Sequence, residues 1–145
     1  MKYQAIIEIP KGSDRRIHMS DDGSGFKDFG PINEKIPINN GIMPVCYGYI
    51  VDTINKSEGD NVDVIVFSNL SYETGDKIEI EVIGLMNRED GDHKVISTDN
   101  SVSLTNFLEV EREERKLILD YFSYTHNIKV ESKDKALVYL NTCRV

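Results

Sequence analysis

The chain has 145 residues, 39% of them hydrophobic and 29% charged, which suits one soluble domain spanning 1–145 with a proper core. A formal net charge of -8 leaves no basic stripe to neutralise phosphates, so nucleic acid is not expected as a partner. No apolar run approaches the roughly 18 residues of a membrane span, no signal-peptide pattern opens the chain, and Cys46 and Cys143 have no metal-like spacing. Two lone thiols fit a reducing compartment, and the expectation is a cytoplasmic protein that meets no membrane.

Residues Tyr3 to Ile9 are apolar-rich and stop at Pro10, as a strand does. Within it Glu8 is flanked by Ile7 and Ile9, and simple alternation places Glu8 on the solvent face. Lys11 to Gly30, rich in Gly, Ser, Asp and basic residues, reads as a turn or ribbon. Gly41 to Val51, with Pro44, Tyr47, Gly48 and Tyr49, reads as a strand with an irregular entry. Val62 to Phe67 is a strand of the buried type. After the turn Thr74-Gly75-Asp76, Lys77 to Ile83 alternates polar and apolar residues as a half-buried strand does. An acidic turn, Glu89-Asp90-Gly91-Asp92, leads to a short strand from Lys94 to Ser97. Strands with turn signals at regular intervals predict a small barrel.

Beyond Thr105 the period changes. Val110, Leu117, Ile118, Tyr121 and Phe122 fall at helical spacing between Val110 and Thr125, with Glu111 and Arg115 able to pair at i, i+4. Ser132 caps a second predicted helix over Lys133 to Cys143. The predicted fold is mainly β with α: a barrel with one or two packed helices.

The chemistry concentrates in Glu58-Gly59-Asp60-Asn61-Val62-Asp63, where three carboxylates fall within six residues ahead of a strand. Like charges this close repel unless cations neutralise them, and hard divalent ions prefer oxygen ligands. If the strands following this loop and Glu89–Asp92 are neighbours, both loops can face one cavity and hold two or more Mg²⁺ ions suited to attack on phosphorus. Lys94, two residues past Asp92, would point the same way and grip a phosphate oxygen; Tyr47 could donate to another. The blander reading is two solvated acidic turns. Calcium binding of the EF-hand type fails on pattern, since Gly59 stands second and Asn69 twelfth, and His18, His93 and His126 are too scattered for zinc.

Several blocks together resemble the soluble (family I) inorganic pyrophosphatases. They are Ile6-Ile7-Glu8-Ile9-Pro10-Lys11-Gly12-Ser13, Pro44-Val45-Cys46-Tyr47-Gly48-Tyr49-Ile50, and Glu58 to Val64, which resembles that family's Asp-Gly-Asp-Pro-x-Asp-Val signature. Gly75 to Gly84, Asp92-His93-Lys94 and the helix ending Tyr121-Phe122 follow in the family's order. The resemblance implies an OB-like five-stranded barrel that hydrolyses pyrophosphate with several Mg²⁺ ions, Mn²⁺ or a similar ion being able to substitute. It implies that Glu58, Asp63 and Asp92 bind the activating metals and that Asp60, also at the metals, is the general base. By the same resemblance Glu8 and Glu89 help hold the metals arriving with substrate, and Tyr47 and Lys94 contact phosphate. This reverses the reading of Glu8, which is now expected to point inward. A homo-oligomer is also implied, hexameric in bacterial members and dimeric in eukaryotic ones, and the short chain points to the hexamer.

The chain departs from the family pattern at several places. Glu58 stands where the signature has Asp, moving the carboxylate by roughly 1.5 Å. Arg16-Ile17-His18 replaces a Lys-Tyr-Glu run, and Lys35 stands for an Arg, keeping charge without the bidentate fork. The second acidic loop is shorter, so Glu89 and Asp90 both compete for one metal role. Thr125-His126 replaces the Tyr-Lys pair closing the long helix, which weakens one phosphate clamp, with His126 its remaining basic group. Retained charge types with a trimmed grip predict weaker binding or slower turnover rather than lost chemistry. The alternative is an inactive module that binds a phosphorylated ligand or a protein; a third reading is hydrolysis of some other diphosphate.

Overall fold

The computed structural model describes residues 2–20 and 22–145. Its elements are β1 (Lys2–Ile9), β2 (Arg15–Met19), β3 (Phe26–Pro31), β4 (Cys46–Ile50), β5 (Asp63–Phe67), β6 (Lys77–Arg88), β7 (Lys94–Thr98), α1 (Arg112–Phe122), β8 (Ile128–Ser132) and α2 (Lys133–Thr142). Strands β1, β4, β5, β7 and β6 hydrogen-bond in that order, and β6 returns to β1, so five strands close a barrel. β8 adds to the outer side of β6, and β2 and β3 form a separate antiparallel ribbon in the segment expected to be one.

Closure depends on the length of β6. Its 12 residues pair first with β1 (Lys77 opposite Ile6, Glu81 opposite Lys2) and then with β7 (Glu81 opposite Thr98, Met86 opposite Lys94). A bulge between Val82 and Gly84 interrupts the pairing with β7, at the point where β8 replaces β1 on the opposite edge of β6. Alternation predicted only its first half, because Val82 to Met86 are buried on both faces and carry no period-two signal. β8 was not predicted; its five residues lie directly ahead of the cap of α2 and are too few for a pattern.

Both helices start on side-chain caps. The Glu111 carboxylate accepts the Glu114 N–H at 3.1 Å, and the Ser132 hydroxyl accepts the Lys135 N–H at 3.4 Å. Because Glu111 serves as the cap, the ion pair expected with Arg115 gives way to Lys116–Asp120 at 2.7 Å.

The barrel wall is apolar on both faces. Ala5, Ile7, Cys46, Val64, Val66, Val82 and Val95 gather on one face with Ala136 and Leu140 of α2. On the other, Ile9, Tyr47, Ile65, Phe67, Met86 and Ile96 pack under Ile118, Tyr121 and Phe122 of α1. Asp63 and Lys94 share the strand parity of Ile65 and Ile96, so they sit at the end of the face covered by α1.

Gly48 lets β1 and β4 meet closely. A Cβ there would lie 1.9 Å from the Ile6 carbonyl oxygen, a backbone atom that cannot move aside cheaply. Gly48→Ala is therefore expected to cost about 3 kcal/mol of stability, read as a lower denaturation midpoint. An unchanged midpoint would contradict this packing.

Candidate active site

β5 and β7 run parallel, with Asp63 directly opposite Lys94. Parallel neighbours enter the sheet from the same end, so the acidic loops preceding them open side by side. Asn55, buried to 3% exposure, ties them together. Its backbone closes the first loop by bridging to Asp60, and its side-chain amide donates to the Gly91 carbonyl of the second at 3.0 Å. No sequence motif marked Asn55; only its place on the loop's far side from Asp60 could have hinted at a clip.

At the base of the loops the Lys94 ammonium, 3% exposed, donates to Asp63 Oδ2 at 2.6 Å, Asp92 Oδ2 at 2.8 Å and the Tyr47 hydroxyl at 3.0 Å. All three of its protons are engaged within the protein, so the group expected to contact phosphate first serves to hold two carboxylates together. The Tyr47 ring stacks on Phe122, centroids 5.8 Å apart, which fixes its hydroxyl over the cluster.

Arg88, unremarked in the sequence, closes β6 and grips Asp90 with both arms, at 2.8 and 2.6 Å, while lying 3.4 Å from Asp92. Glu58, Asp90 and Asp92 each offer a carboxylate oxygen within 4.8 Å of one another, a donor set that suits a hard divalent cation. Of the two candidates of the second loop, Asp90 belongs to this group, although Arg88 already engages both of its oxygens, and Glu89 does not. Glu89 instead takes an amide hydrogen bond from Asn127 at 3.3 Å. His126 lies 3.4 Å from Asp90 and does not line the cleft, whereas Thr125 does.

Two adjoining clefts open onto most of these groups, Asp90 lining neither. One, of about 400 Å³, includes Arg16, Lys35, Tyr47, Glu58, Asp92 and Lys94 in its lining and ends against Tyr121 and Phe122. The other, of about 550 Å³, takes in Glu8, Tyr49 and Asn61. Arg16, His18, Asp60 and Asp63 line both. Glu8 is 5% exposed and turned inward, as the family resemblance implied and alternation did not. It accepts the Met19 N–H at 2.8 Å, and its other oxygen faces His18 Nδ1 at 3.6 Å.

The charges are unevenly compensated. Burial pushes Asp63 up to about 7, with Lys94 opposing and Asp92 reinforcing the rise. Burial also opposes the charge on Asp92, but Lys94 prevails and holds it below the usual carboxylate range. Asp60 and Glu58 are both raised, by burial first and then by Asp92. Burial, followed by the same carboxylates, holds the Tyr47 phenol well above its usual pKa, so it stays a hydrogen-bond donor. Burial disfavours charge on Lys94, yet Asp63 and Asp92 keep it above the ordinary lysine value.

A closed five-stranded barrel whose wall carries carboxylates around a buried ammonium defines a barrel protein with a donor set that could hold a metal cation. Comparison with known proteins narrows this class. The family model described as "Inorganic pyrophosphatase" matches residues 5–141, and the chain belongs to that family, which is metal-dependent. Relatives include the inorganic pyrophosphatases of Campylobacter jejuni (31% identical over 104 residues, 69% of this chain and 56% of the relative) and Saccharolobus solfataricus (32% over 113 residues, 72% and 62%). The chain thus spans little more than half the length of the curated relatives it matches. The fold agrees with crystal structures of inorganic pyrophosphatases from Ehrlichia chaffeensis (TM-score 0.85, 19% identity, covering 98% of this chain and 92% of the other) and Neisseria gonorrhoeae (0.83, 21%, 97% and 87%). Among the described residues no helix is long and apolar enough to cross a membrane.

Lys94→Met leaves Asp63 and Asp92 facing each other without a cation, and is expected to cost about 3–5 kcal/mol in metal-free buffer. Partial recovery of thermal stability on adding a divalent cation would mark the deficit as electrostatic. The proton on Asp63 has its own signature. Its pKa rises from 3.8 to about 7 on folding, so its contribution to stability is present below pH 3.8 and is lost as pH climbs through about 7. A divalent cation that requires the ionised carboxylate should therefore release a proton at pH 6 and far less at pH 8.5, measured by calorimetry in buffers of different ionisation enthalpy.

Proposed function

We propose that this chain hydrolyses inorganic pyrophosphate to two phosphates, with Mg²⁺ as the metal. One observation carries the reading: Lys94 gathers Asp63, Asp92 and Tyr47 beneath a cleft that also holds Glu58, Asp60, Arg16 and Lys35. The relatives matched bear the name inorganic pyrophosphatase, which supports the same substrate.

Lys94 and Arg88 neutralise part of the carboxylate charge, while Glu58 and Asp60 keep theirs without a described ion pair. Glu58, Asp90 and Asp92, flanked by Asp60 and Asp63, are the residues that would hold the cations, with Glu8 across the cleft. Asp90 takes the role that the family resemblance offered to Glu89. Bound cations supply positive charge to the phosphate oxygens and acidify water.

Asp60 lines both clefts, and its raised pKa makes it a better proton acceptor than an ordinary aspartate. It takes the proton of the attacking water. The Tyr47 hydroxyl donates a hydrogen bond to a phosphate oxygen, and Arg16 and Lys35 supply positive charge along the cleft. Lys35 has no fork and His126 is turned to Asp90, so the substrate is held less firmly at that end. The inactive-module alternative is not favoured, because the chain belongs to the inorganic pyrophosphatase family and the residues proposed for the chemistry, Asp60, Tyr47 and Lys94, line one cleft.

The same proposal carries a cytoplasmic setting and a homo-oligomer, with the hexamer as the expected form. Exposed Leu108, Tyr124 and Val138 are apolar surface that a subunit contact could cover.

Phosphate release from pyrophosphate is expected to require Mg²⁺ and to vanish with chelator. Asp60→Asn should lower kcat by about 10²–10⁴-fold with little change in thermal stability. Undiminished turnover in that variant would remove Asp60 from its role, and tight pyrophosphate binding without phosphate release would revive the non-catalytic module.

A further inference from the structure

Pyrophosphate has no apolar surface, yet the larger cleft continues past the carboxylates onto an apolar wall. Phe29 of β3 is 47% exposed there and Ile54 is 41% exposed, with Tyr49 and Met19 beside them. Basic and imidazole groups surround the Phe29 ring. Arg16 stands 6.0 Å and Lys27 5.6 Å from its centroid, and the His18 ring is 6.0 Å away at an interplanar angle of 48°. A half-exposed aromatic ring with cations over it suits a flat ring attached to an anionic group, packed against whatever surface those cations leave open. The cleft's volume of about 550 Å³ matches an organic ligand of nucleotide size. Arg16, His18, Asp60 and Asp63 belong to both clefts, so this wall is continuous with the phosphate end.

We infer that the Phe29 wall is a subsite for the organic part of a substituted diphosphate, and that the protein takes nucleoside diphosphates as well as pyrophosphate. The ring of such a substrate lies on Phe29, and its diphosphate lies across Arg16 and the carboxylates shared by both clefts. The inference rests on the hydrolytic reading above and uses the same chemistry. A water oxygen bonds to the terminal phosphorus and the bond from that phosphorus to the bridging oxygen breaks. The electron pair leaves on the nucleoside monophosphate, and the water's proton passes to Asp60. Water is the only co-reactant, and nothing is oxidised or reduced.

The test uses the full chain with Mg²⁺, pyrophosphate and adenosine diphosphate as parallel substrates, and Phe29→Ala and Phe29→Tyr as variants. The expected result is release of adenosine monophosphate and phosphate from adenosine diphosphate. Phe29→Ala should lower kcat/KM for it about tenfold, within the worth of one ring stacked on an aromatic side chain, while pyrophosphate turnover stays within about twofold. Phe29→Tyr, which keeps the ring, should retain both activities. Pyrophosphate hydrolysis with no turnover or competitive binding of adenosine diphosphate overturns the subsite and leaves the pyrophosphatase reading intact. Equal losses on both substrates in Phe29→Ala also overturn it. Should neither substrate turn over, calorimetric binding of adenosine diphosphate that Phe29→Ala abolishes still supports the subsite, and absence of that binding overturns it.

Discussion

One ammonium group organises this protein. Lys94 is buried, and its three donors are shared among Asp63, Asp92 and Tyr47. A lysine in that position is tolerable only with carboxylates against it, and the carboxylates are tolerable only with the lysine between them. The two acidic loops, the parallel pairing of β5 with β7 and the tyrosine of β4 are thereby locked to one another. An internal cation thus answers part of the charge that a metal would otherwise have to neutralise alone. The remainder, on Glu58 and Asp60, is left facing the cleft.

The barrel turns this local constraint into a site. Because β5 and β7 are parallel neighbours, loops that are about 30 residues apart in the chain begin at the same edge. Asn55 then sews the loops together through backbone carbonyls, which are indifferent to side-chain identity. Packing α1 over the same strand face brings Phe122 under Tyr47, so the helix sets the orientation of a phenol it does not otherwise touch through polar contacts. Arg88 at the end of β6 anchors Asp90 and draws near Asp92, so the second loop is shaped by an arginine on the strand preceding it.

The cleft is asymmetric. Its polar end has a dense set of carboxylates and cations; its other end is a ribbon-borne aromatic ring with basic neighbours. At the end of the long helix, where the family pattern has a Tyr-Lys pair and a weakened clamp was expected, this chain has Thr125 at the cleft and His126 turned to Asp90.

Local chemistry determined much of this from the sequence: the alternation of Lys77 to Ile83, the cap at Ser132, and two acidic loops each abutting a strand needed no partner to be read. The family resemblance also turned Glu8 inward, against its own periodicity. What the sequence could not state was anything set by contacts between distant segments. The second half of β6 reads as featureless because both of its faces are buried, and β8 is a strand only because β6 offers it an edge. The nearness of Asp90 rather than Glu89 to Glu58 and Asp92, the recruitment of Arg88 and the clip at Asn55 depend on which oxygen and nitrogen atoms meet across the hairpin and between loops. Hydrogen-bond geometry over a few ångströms decides such matters, and a linear spacing does not contain it.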